Sequence, residues 1–287
     1  MISLVYYLFS WVLLGSIANE KHVQIIVKND VSLKYSRFWN STGFCPPLPR
    51  EETSKWFLSN DMYQNLALIS SVPHAGINQV RIHYLLETIK YNGPGQYDFS
   101  ELKQFLDRLV SFGLQPGFEV MGNPQNIFSD FGDQKNLTEW YNLVSSLTNE
   151  LQTRYGKDEI QKWNFESWNE PDNPNHWDAL SGITMQQYFN YWDVTLAALN
   201  DTNPNLIFGG PGENLMHSHK KSFGWNLLEH VANGTNYWTN TTENRIDFIA
   251  SHNKGTTLIN DEKVARTETI LEAEKYIIGI TIFNGII

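Results

Sequence analysis

Residues 163–171 read WNFESWNEP, and the prediction of the fold starts from this stretch. Trp163, Phe165 and Trp168 make its first part an apolar run of strand length. Pro171 cannot continue a central strand, so the run predicts a strand that ends with Asn-Glu at its carboxyl end. The plainer interpretation is a strand that runs into an ordinary turn, because Asn and Pro are common turn residues.

Five further apolar runs repeat this pattern along the chain. With the stretch above, they predict strands at Thr42–Phe44, Ile77–Tyr84, Leu114–Met121, Trp163–Trp168, Leu206–Gly209 and Ile246–Ala250. Three sets of apolar residues between them each fall on one helical face: Leu102, Phe105, Leu106, Leu109 and Phe112; Trp140, Leu143, Val144, Leu147 and Leu151; Met185, Tyr188, Trp192, Leu196 and Leu199. Strands that alternate with helices in this way indicate a parallel sheet.

Two α/β architectures are compatible with this alternation. A doubly wound sheet that binds a dinucleotide has a G-x-G-x-x-G turn after an early strand, and the chain has none. A (β/α)8 TIM barrel is better supported, because polar residues cluster just after successive strands. A complete barrel has eight strands and the sequence predicts about six. We therefore expect an incomplete barrel, and a fold other than a barrel is the alternative.

The composition describes a globular chain with a candidate leader. The 287 residues are 41% hydrophobic and 18% charged, with a net charge of -10, and no basic run suits nucleic acid. Leu4–Leu14 is an apolar run too short to span a bilayer, and small residues suited to cleavage follow it. No basic residue precedes the run, so a buried strand or helix is the alternative. We expect a signal peptide at residues 1–18, no membrane span, and a secreted or lysosomal protein.

The rest of the chain divides into three predicted segments. Residues 19–35 hold one strand, His22–Asp30, that does not fit the repeat and suggests a small separate sheet. Residues 36–263 form the partial barrel, and residues 264–287 form a divergent, largely apolar tail. Cys45 is the only cysteine, so no disulfide forms within the chain.

Five N-x-[ST] sequons agree with a secretory route. The candidates for glycosylation are Asn40, Asn136, Asn200, Asn233 and Asn240. Because the chain is rich in Asn, Ser and Thr, chance alone would give nearly as many, so the sequons do not establish secretion.

Asn169 and Glu170 suit the cleavage of a glycosidic bond. Such cleavage needs a carboxylic acid to protonate the leaving oxygen, and it gains from a hydrogen bond to the sugar 2-hydroxyl. Adjacent carboxyl and amide groups at the end of a barrel strand supply both. We therefore expect Glu170 to be the catalytic acid/base.

Several blocks of sequence carry a resemblance to a known family. They are Phe38-Trp39, residues 41–49 (STGFCPPLP), Val72-Pro73-His74, Gln79-Val80-Arg81-x-His83, residues 116–122 (PGFEVMG), residues 162–166 (KWNFE), residues 168–172 (WNEPD), residues 209–212 (GGPG) and His252-x-Lys254-Gly255. In this order they resemble glycoside hydrolase family 39, and within it the alpha-L-iduronidases. The resemblance implies a TIM-barrel retaining glycosidase that removes terminal iduronic acid from dermatan and heparan sulfate fragments.

The resemblance also assigns roles to residues of this chain. Glu170 matches the acid/base and Asn169 matches the residue that binds the sugar. Arg81 and His83, which face the same way on a strand, match active-site residues. From the residues alone, an internal salt bridge for Arg81 and a core position for His83 are the plainer interpretations.

Five further positions are candidates for substrate binding: Pro46, Leu48, Arg50, His252 and Lys254. Lys254 matches the lysine that recognises the iduronate carboxylate, a role that suits a point charge. Arg50 departs from the family, which has His there, but it keeps a cationic group near an anionic sugar. A solvated surface lysine is the alternative for Lys254.

Three strand glutamates and a histidine pair receive no such role. Glu119 and Glu166 match family positions but suit ion pairs within a barrel, and Glu213 stands where the family tends to have Asp. His217-Ser218-His219 resembles a metal pair, yet no carboxylate or third ligand is placed to complete it. We expect no metal and no cofactor, and an oligosaccharide derived from glycosaminoglycans as the binding partner.

The resemblance stops before the second catalytic carboxylate. A retaining mechanism needs this group about 5 to 5.5 Å from the acid/base, and the family has a glutamate after strand seven. Nothing after Lys263 matches that motif, so we expect the nucleophile to be missing from these residues. Two other functions stay open: a catalytically dead form that binds sugar or a protein, and a beta-xylosidase of the same family.

Overall fold

The alternating apolar and amphipathic stretches fold into a curled parallel sheet with helices between its strands. The structure is a computed structural model, and it describes residues 40–177, 180, 183–213, 215, 222–242, 244–252 and 281–285. The strands are β1 Ser41–Phe44, β2 Gln79–Ile82, β3 Lys90–Gly93, β4 Gln96–Asp98, β5 Gln115–Glu119, β6 Asn164–Glu166, β7 Ile207–Glu213, β8 Phe248–His252 and β9 Thr281–Gly285.

One sheet contains every strand except β3 and β4, which pair with each other in antiparallel fashion. Its order is β1-β2-β5-β6-β7-β8-β9, and each neighbouring pair is parallel. The helices are α1 Thr53–Phe57, α2 Asn60–Ser70, α3 Ser100–Ser111, α4 Gln134–Tyr155, α5 Lys157–Ile160, α6 Met185–Thr202 and α7 Phe223–Asn233. Short 3-10 turns lie at Arg50–Glu52, Pro73–Ala75, Leu85–Thr88, Pro124–Asn126 and Pro174–His176.

All six predicted strands are present, and the prediction of an incomplete TIM barrel is confirmed. Several observed strands are shorter than their apolar runs. Tyr84, for example, is buried, but its φ of 58° takes it out of β2. The tail adds a strand that the sequence pattern did not predict, because β9 pairs in parallel with β8.

An aromatic core fixes α4 and α6 against the sheet. Trp140 of α4 packs on Tyr191 of α6 with ring centroids 5.2 Å apart, and its indole Nε1 donates to Thr195 Oγ1 at 2.9 Å. The Tyr191 hydroxyl donates to the Val120 carbonyl, just beyond β5, at 2.6 Å. Trp140 is fully buried, so truncating it to alanine should cost about 3–5 kcal/mol. Through Tyr191 and Val120, this core contacts the chain at the carboxyl end of β5.

Several predicted features lie outside the described residues. They are the signal peptide at residues 1–18, the strand His22–Asp30, the His217-His219 pair and Lys254. Over the part of the chain that the structure describes, no helix is long and apolar enough to cross a membrane.

Candidate active site

Charged side chains gather where neighbouring strands of the sheet end. Because the strands are parallel, their carboxyl ends meet at one edge of the sheet. Arg81 of β2 lies there, with Glu119 at the end of β5, Glu166 at the end of β6 and His252 at the end of β8. Glu119 stands opposite Glu166 in the sheet register. The topology therefore collects one arginine, two carboxylates and a histidine from distant parts of the sequence.

Arg81 is the centre of this cluster. Its Nε and Nη2 donate to the two carboxylate oxygens of Glu166 at 2.8 Å each, which is a bidentate pair. Nη2 also lies 2.7 Å from Glu119 Oε1 and 3.0 Å from Asn169 Oδ1. Burial alone would lower the pKa of Arg81, but Glu119 and Glu166 together raise it above its ordinary value. The Nη1 atom is buried and has no hydrogen-bond partner among the described residues.

Two glycines leave room for the Arg81 side chain. A Cβ atom on Gly117 of β5 would lie 3.1 Å from Arg81 Cα. A Cβ atom on Gly212 of β7 would lie 2.8 Å from both Arg81 Nη2 and Glu166 Oε1. Gly212 also has a φ of 61°, a left-handed conformation that other residues adopt at a cost. Position 212 therefore requires glycine for two independent reasons.

Glu119 orients the side chain of His83. Burial would raise the pKa of the fully buried Glu119 carboxyl, but Arg81 and His83 outweigh it and hold that pKa below its ordinary value. The ionised carboxylate bonds to His83 Nδ1, and it can only accept. The proton of that bond therefore sits on Nδ1, which leaves Nε2 of His83 for another partner.

Glu170 lies in a tight turn directly after β6. Its φ of 44° is left-handed, and a conformation of this kind costs about 1–3 kcal/mol. The Glu170 amide donates to the Gly212 carbonyl at 3.1 Å, and the Glu170 carbonyl accepts from the Asn173 amide at 2.9 Å. The side chain is 25% exposed. Its carboxyl lies between two imidazoles, with Oε1 2.8 Å from His252 Nδ1 and Oε2 3.6 Å from His176 Nδ1.

His252 is the closer of these two imidazoles. It is only 7% exposed, and burial, with a further effect of Arg81, lowers the pKa of its ring. The ring is therefore neutral at pH 7. A neutral imidazole can donate to a Glu170 carboxylate or accept from a Glu170 carboxylic acid, so the contact suits both protonation states of an acid/base.

Glu213 is a further buried carboxyl beside the cluster. It is 1% exposed, and its Oε2 accepts from the Gly224 amide of α7 at 2.7 Å. Its Oε1 is buried without a hydrogen-bond partner among the described residues. Burial, with further effects of Asp172 and Glu170, raises the pKa of Glu213 to about 7. The group is therefore mostly protonated in mildly acidic solution.

Leu48 and Arg50 lie beside this cluster rather than within it. They line a cavity of about 680 Å³ that Glu170 does not line. The Arg50 guanidinium lies 3.4 Å from the centroid of the Tyr84 ring, a cation–π contact, and its Nη1 donates to the Pro46 carbonyl at 3.0 Å. Leu48 is 72% exposed. The loop after β1 thus forms one wall of the cavity.

The structure brings five of the predicted site residues together and sets three others nearby. Arg81, His83, Asn169, Glu170 and His252 belong to the cluster. Leu48 and Arg50 line the neighbouring cavity, and the Pro46 carbonyl accepts from Arg50. The roles given to all eight stay predictions.

Two neighbours of Glu170 were not predicted from the sequence. Asp172 belongs to a block that carries the resemblance, and burial, with a further effect of Glu170, raises the pKa of its carboxyl. His176 follows Glu170 by six positions. The sequence does show a histidine in a Pro-containing turn close to Glu170. It does not show that this turn brings the histidine ring back to the Glu170 carboxyl.

The cluster can exchange a proton and hold an anion. Glu170 and its two histidines suit proton transfer, while Arg81 Nη1 and His83 Nε2 can bind polar groups. Within the described ranges, no three His, Cys, Asp or Glu side chains are grouped so as to hold a metal ion.

The chain is similar to glycosidases of one family. The family model for glycosyl hydrolases family 39 matches residues 22–278. Alpha-L-iduronidase of Mus musculus is 46% identical over 222 residues, which are 76% of this chain and 35% of that protein. Alpha-L-iduronidase of Homo sapiens is 42% identical over 236 residues, or 79% of this chain and 36% of that protein. The chain thus spans about a third of the length of these relatives.

A solved structure agrees with this similarity. A bacterial orthologue of human alpha-L-iduronidase is 30% identical in sequence, with a TM-score of 0.74. The match covers 88% of this chain and 41% of that one.

Proposed function

This chain belongs to glycosyl hydrolase family 39, and we propose that it carries the acid/base part of an alpha-L-iduronidase active site. The proposed reaction removes terminal alpha-L-iduronic acid from dermatan and heparan sulfate fragments by a retaining mechanism. Glu170 is the proposed acid/base. The observation that carries this proposal is its partly exposed carboxyl at the carboxyl end of β6, bonded to His252.

Glu170 acts twice in a retaining mechanism. In the first step it gives its proton to the leaving oxygen, and in the second it takes a proton from water. The neutral His252 ring can bond to the carboxyl in either state, which supports this assignment. Asn169 is the proposed partner of the sugar 2-hydroxyl, and its Oδ1 is held by Arg81.

The mechanism also needs a nucleophilic carboxylate about 5 to 5.5 Å from Glu170. Glu119 and Glu166 are ion-paired with Arg81, and Glu213 is mostly protonated below its pKa of about 7. We therefore assign the nucleophile to none of these residues. The buried Nη1 of Arg81, which has no partner among the described residues, supports a site for an additional carboxylate there, because a guanidinium favours the ionised form.

The proposed substrate carries a carboxylate on its sugar ring. Lys254 is the proposed point charge for that carboxylate, and Arg50 adds a second cation on the wall of the neighbouring cavity. The mouse and human relatives, both alpha-L-iduronidases, support a uronic acid over a neutral sugar. Oligosaccharides derived from glycosaminoglycans are the proposed partners.

We also propose a place in the cell and a domain organisation. The apolar run Leu4–Leu14 supports a signal peptide at residues 1–18 and entry to the secretory pathway, with a lysosomal or secreted protein as the result. Residues 19–35 are the proposed strand segment, residues 36–263 the barrel segment and residues 264–287 the tail.

The experiment uses the whole chain with an aryl alpha-L-iduronide and the matching aryl beta-D-xyloside, each with and without azide. Azide can replace a missing nucleophile if the acid/base and the sugar-binding site are both formed. The azide ion then attacks the anomeric carbon of the substrate. We expect turnover of the iduronide that depends on azide and gives the inverted glycosyl azide. Isothermal titration with free iduronic acid measures binding in the same samples.

Each other outcome changes the account in a defined way. Turnover of the iduronide without azide keeps the function and shows that the chain contains its own nucleophile. Preference for the xyloside replaces the uronic acid with a neutral sugar. Binding without turnover under either condition favours the dead, sugar-binding form. The absence of both binding and turnover would contradict the proposal.

A further inference from the structure

The backbone carbonyl of His176 is held by two buried aromatic side chains. It ends the 3-10 turn Pro174–His176, directly after the Glu170 turn. Its carbonyl accepts from the Tyr84 hydroxyl at 3.2 Å and from Trp168 Nε1 at 2.9 Å. Tyr84 and Trp168 are both almost fully buried. The position of the His176 backbone is therefore fixed by contacts with the buried core.

The hydrogen bonds of the ring define its tautomer. Nδ1 lies 3.3 Å from the Asn169 carbonyl, which can only accept, so Nδ1 carries a proton. Nε2 lies 3.2 Å from Asn173 Nδ2. The orientation of that amide is fixed, because Asn173 Oδ1 accepts from the Asn175 amide at 3.1 Å. Asn173 Nδ2 therefore donates, Nε2 accepts, and the His176 ring is neutral with its proton on Nδ1.

The same Nδ1 atom also faces the second carboxyl oxygen of Glu170, Oε2. Oε1 of Glu170 is bonded to His252, and Oε2 lies 3.6 Å from His176 Nδ1. A separation of 3.6 Å is too long for a formed hydrogen bond. Catalytic hydrogen bonds are often long before the substrate binds and shorten in the complex, and a small rotation of the Glu170 carboxyl would bring Oε2 within reach.

We propose that His176 is a positioning residue for Glu170, and that its neutral Nδ1–H bonds to Oε2 when the carboxyl is ionised. This proposal rests on the acid/base role proposed above. When the glycosidic bond breaks, the Glu170 proton moves to the leaving oxygen, and the new carboxylate is then held by one ring at each oxygen. His176 keeps its own proton throughout. Glu170 is thus fixed for the second step, in which it takes a proton from water.

Other ionisable groups face Glu170 from the packed elements around it. They are His252 on β8, Arg81 on β2, Glu213 on β7, and Asp172 in the same loop. A test must therefore change the His176 donor alone and leave these groups in place.

Two amide substitutions separate the two ring nitrogens. In His176→Asn the side-chain nitrogen can take the place of Nδ1 and still donate to Oε2. In His176→Gln it takes the place of Nε2, and the donor towards Glu170 is lost. His176→Leu removes both. Each amide variant loses one structural contact of the ring, that to Asn173 in His176→Asn and that to Asn169 in His176→Gln. A difference in the titration of Glu170 between the two variants therefore reports the donor towards Oε2.

The primary readout is the titration of Glu170, followed by carbon NMR of the whole chain labelled at glutamate carboxyls, with Glu170→Gln identifying the signal. This readout does not require turnover, so it stands even if the proposed function fails. We expect His176→Asn to titrate like the original chain. Loss of a donor to the ionised form should move the midpoint in His176→Gln and His176→Leu upwards by roughly half a unit or more.

The secondary readout is the pH profile of kcat under conditions where the chain turns over. The apparent pKa that Glu170 contributes to this profile should shift in His176→Gln and be unchanged in His176→Asn. The KM values should change little in either variant. Equal midpoints in all variants, or equal shifts in the asparagine and glutamine variants, would overturn the proposal. If His176→Leu does not fold, the amide pair alone decides.

Discussion

The Nδ1 atom of His252 lies 2.8 Å from the Oε1 atom of Glu170, although the two residues are 82 positions apart. His252 is the last residue of β8 and Glu170 follows β6, and β7 lies between these strands. The contact forms because the turn that contains Glu170 passes over β7, where the Glu170 amide donates to the Gly212 carbonyl. Residues of β6, β7 and β8 thus together set the position of Glu170. Substitutions in any of these strands should therefore change that position.

Gly212→Ala should disrupt the cluster around Arg81. The new Cβ would lie 2.8 Å from Arg81 Nη2 and from Glu166 Oε1, so we expect a loss of about 1–3 kcal/mol in the free energy of unfolding from overpacking. Gly113→Ala is the matched control, since Gly113 also has a positive φ, of 73°, but a Cβ there meets no atom within 4 Å. Urea unfolding of both variants gives the comparison. Equal losses would mean that backbone strain alone matters at position 212.

Glu213→Gln should change how stability depends on pH. A carboxyl with a raised pKa binds its proton more tightly in the folded chain than in the unfolded chain. Its contribution therefore favours folding below the ordinary value of 4.5 and is lost as the pH rises to about 7. Over this range the original chain should lose up to ~3 kcal/mol of stability relative to Glu213→Gln.

The measurement for Glu213 is chemical unfolding at several values of pH between 4 and 8. Glu51→Gln, which changes an exposed carboxylate, is the control. A stability difference between Glu213→Gln and the original chain that does not vary with pH would show that Glu213 titrates like an ordinary glutamate.

Lys254→Ala should weaken cleavage of a uronide more than cleavage of the matching neutral glycoside. A hydrogen bond to a charged group is worth on the order of 1.5–3 kcal/mol, and the neutral substrate lacks that partner. The ratio of kcat/KM values for the two substrates measures the effect, with Lys157→Ala at an exposed position as the control. Equal losses on both substrates would make Lys254 a structural residue.

Asn240 should be the best occupied of the five sequons when the chain is made in a secretory host. Asn240 is exposed, and its side-chain amide has no hydrogen bond among the described residues. In contrast, Asn136 and Asn233 donate their amide nitrogens to carboxylates at 2.8 Å, and Asn40 and Asn200 are partly buried. A glycan at Asn136 or Asn233 would break a hydrogen bond, and a glycan at Asn40 or Asn200 would require the partly buried side chain to become exposed.

Peptide mass spectrometry of the secreted chain, with a supplied signal sequence, measures this occupancy. Asn240→Gln should remove the largest share of glycan, and Asn136→Gln should remove less. Lower occupancy at Asn240 than at any of the other four would contradict the ranking.

Much of the cluster could be predicted because parallel strands impose simple geometry. Once Arg81, Glu119, Glu166 and His252 were placed near strand ends, a parallel sheet required them to meet at one edge. The contacts within the cluster could not be predicted. That Glu119 orients His83, for example, depends on side-chain directions that strand periodicity does not specify.

The turn after β6 and the tail were harder to predict, for different reasons. His176 reaches Glu170 because Asn173 caps a 3-10 turn and two buried rings hold the His176 carbonyl, and none of this follows from local pattern. In the tail, β9 lies in a continuous apolar stretch, and periodicity cannot distinguish a buried strand from a helix segment there.

The most direct test of the account is the effect of Glu170→Gln on two iduronides that differ only in their leaving group, under conditions where the original chain turns over. A general acid contributes about 10²- to 10⁴-fold, and a poor leaving group needs it most. We predict that cleavage of a methyl iduronide falls at least about 100-fold, while cleavage of a dinitrophenyl iduronide falls far less. Asp172→Asn, which changes a neighbouring carboxyl, should not reproduce this difference between substrates. Near-original cleavage of the methyl iduronide by Glu170→Gln would contradict the assignment of Glu170 as the acid/base.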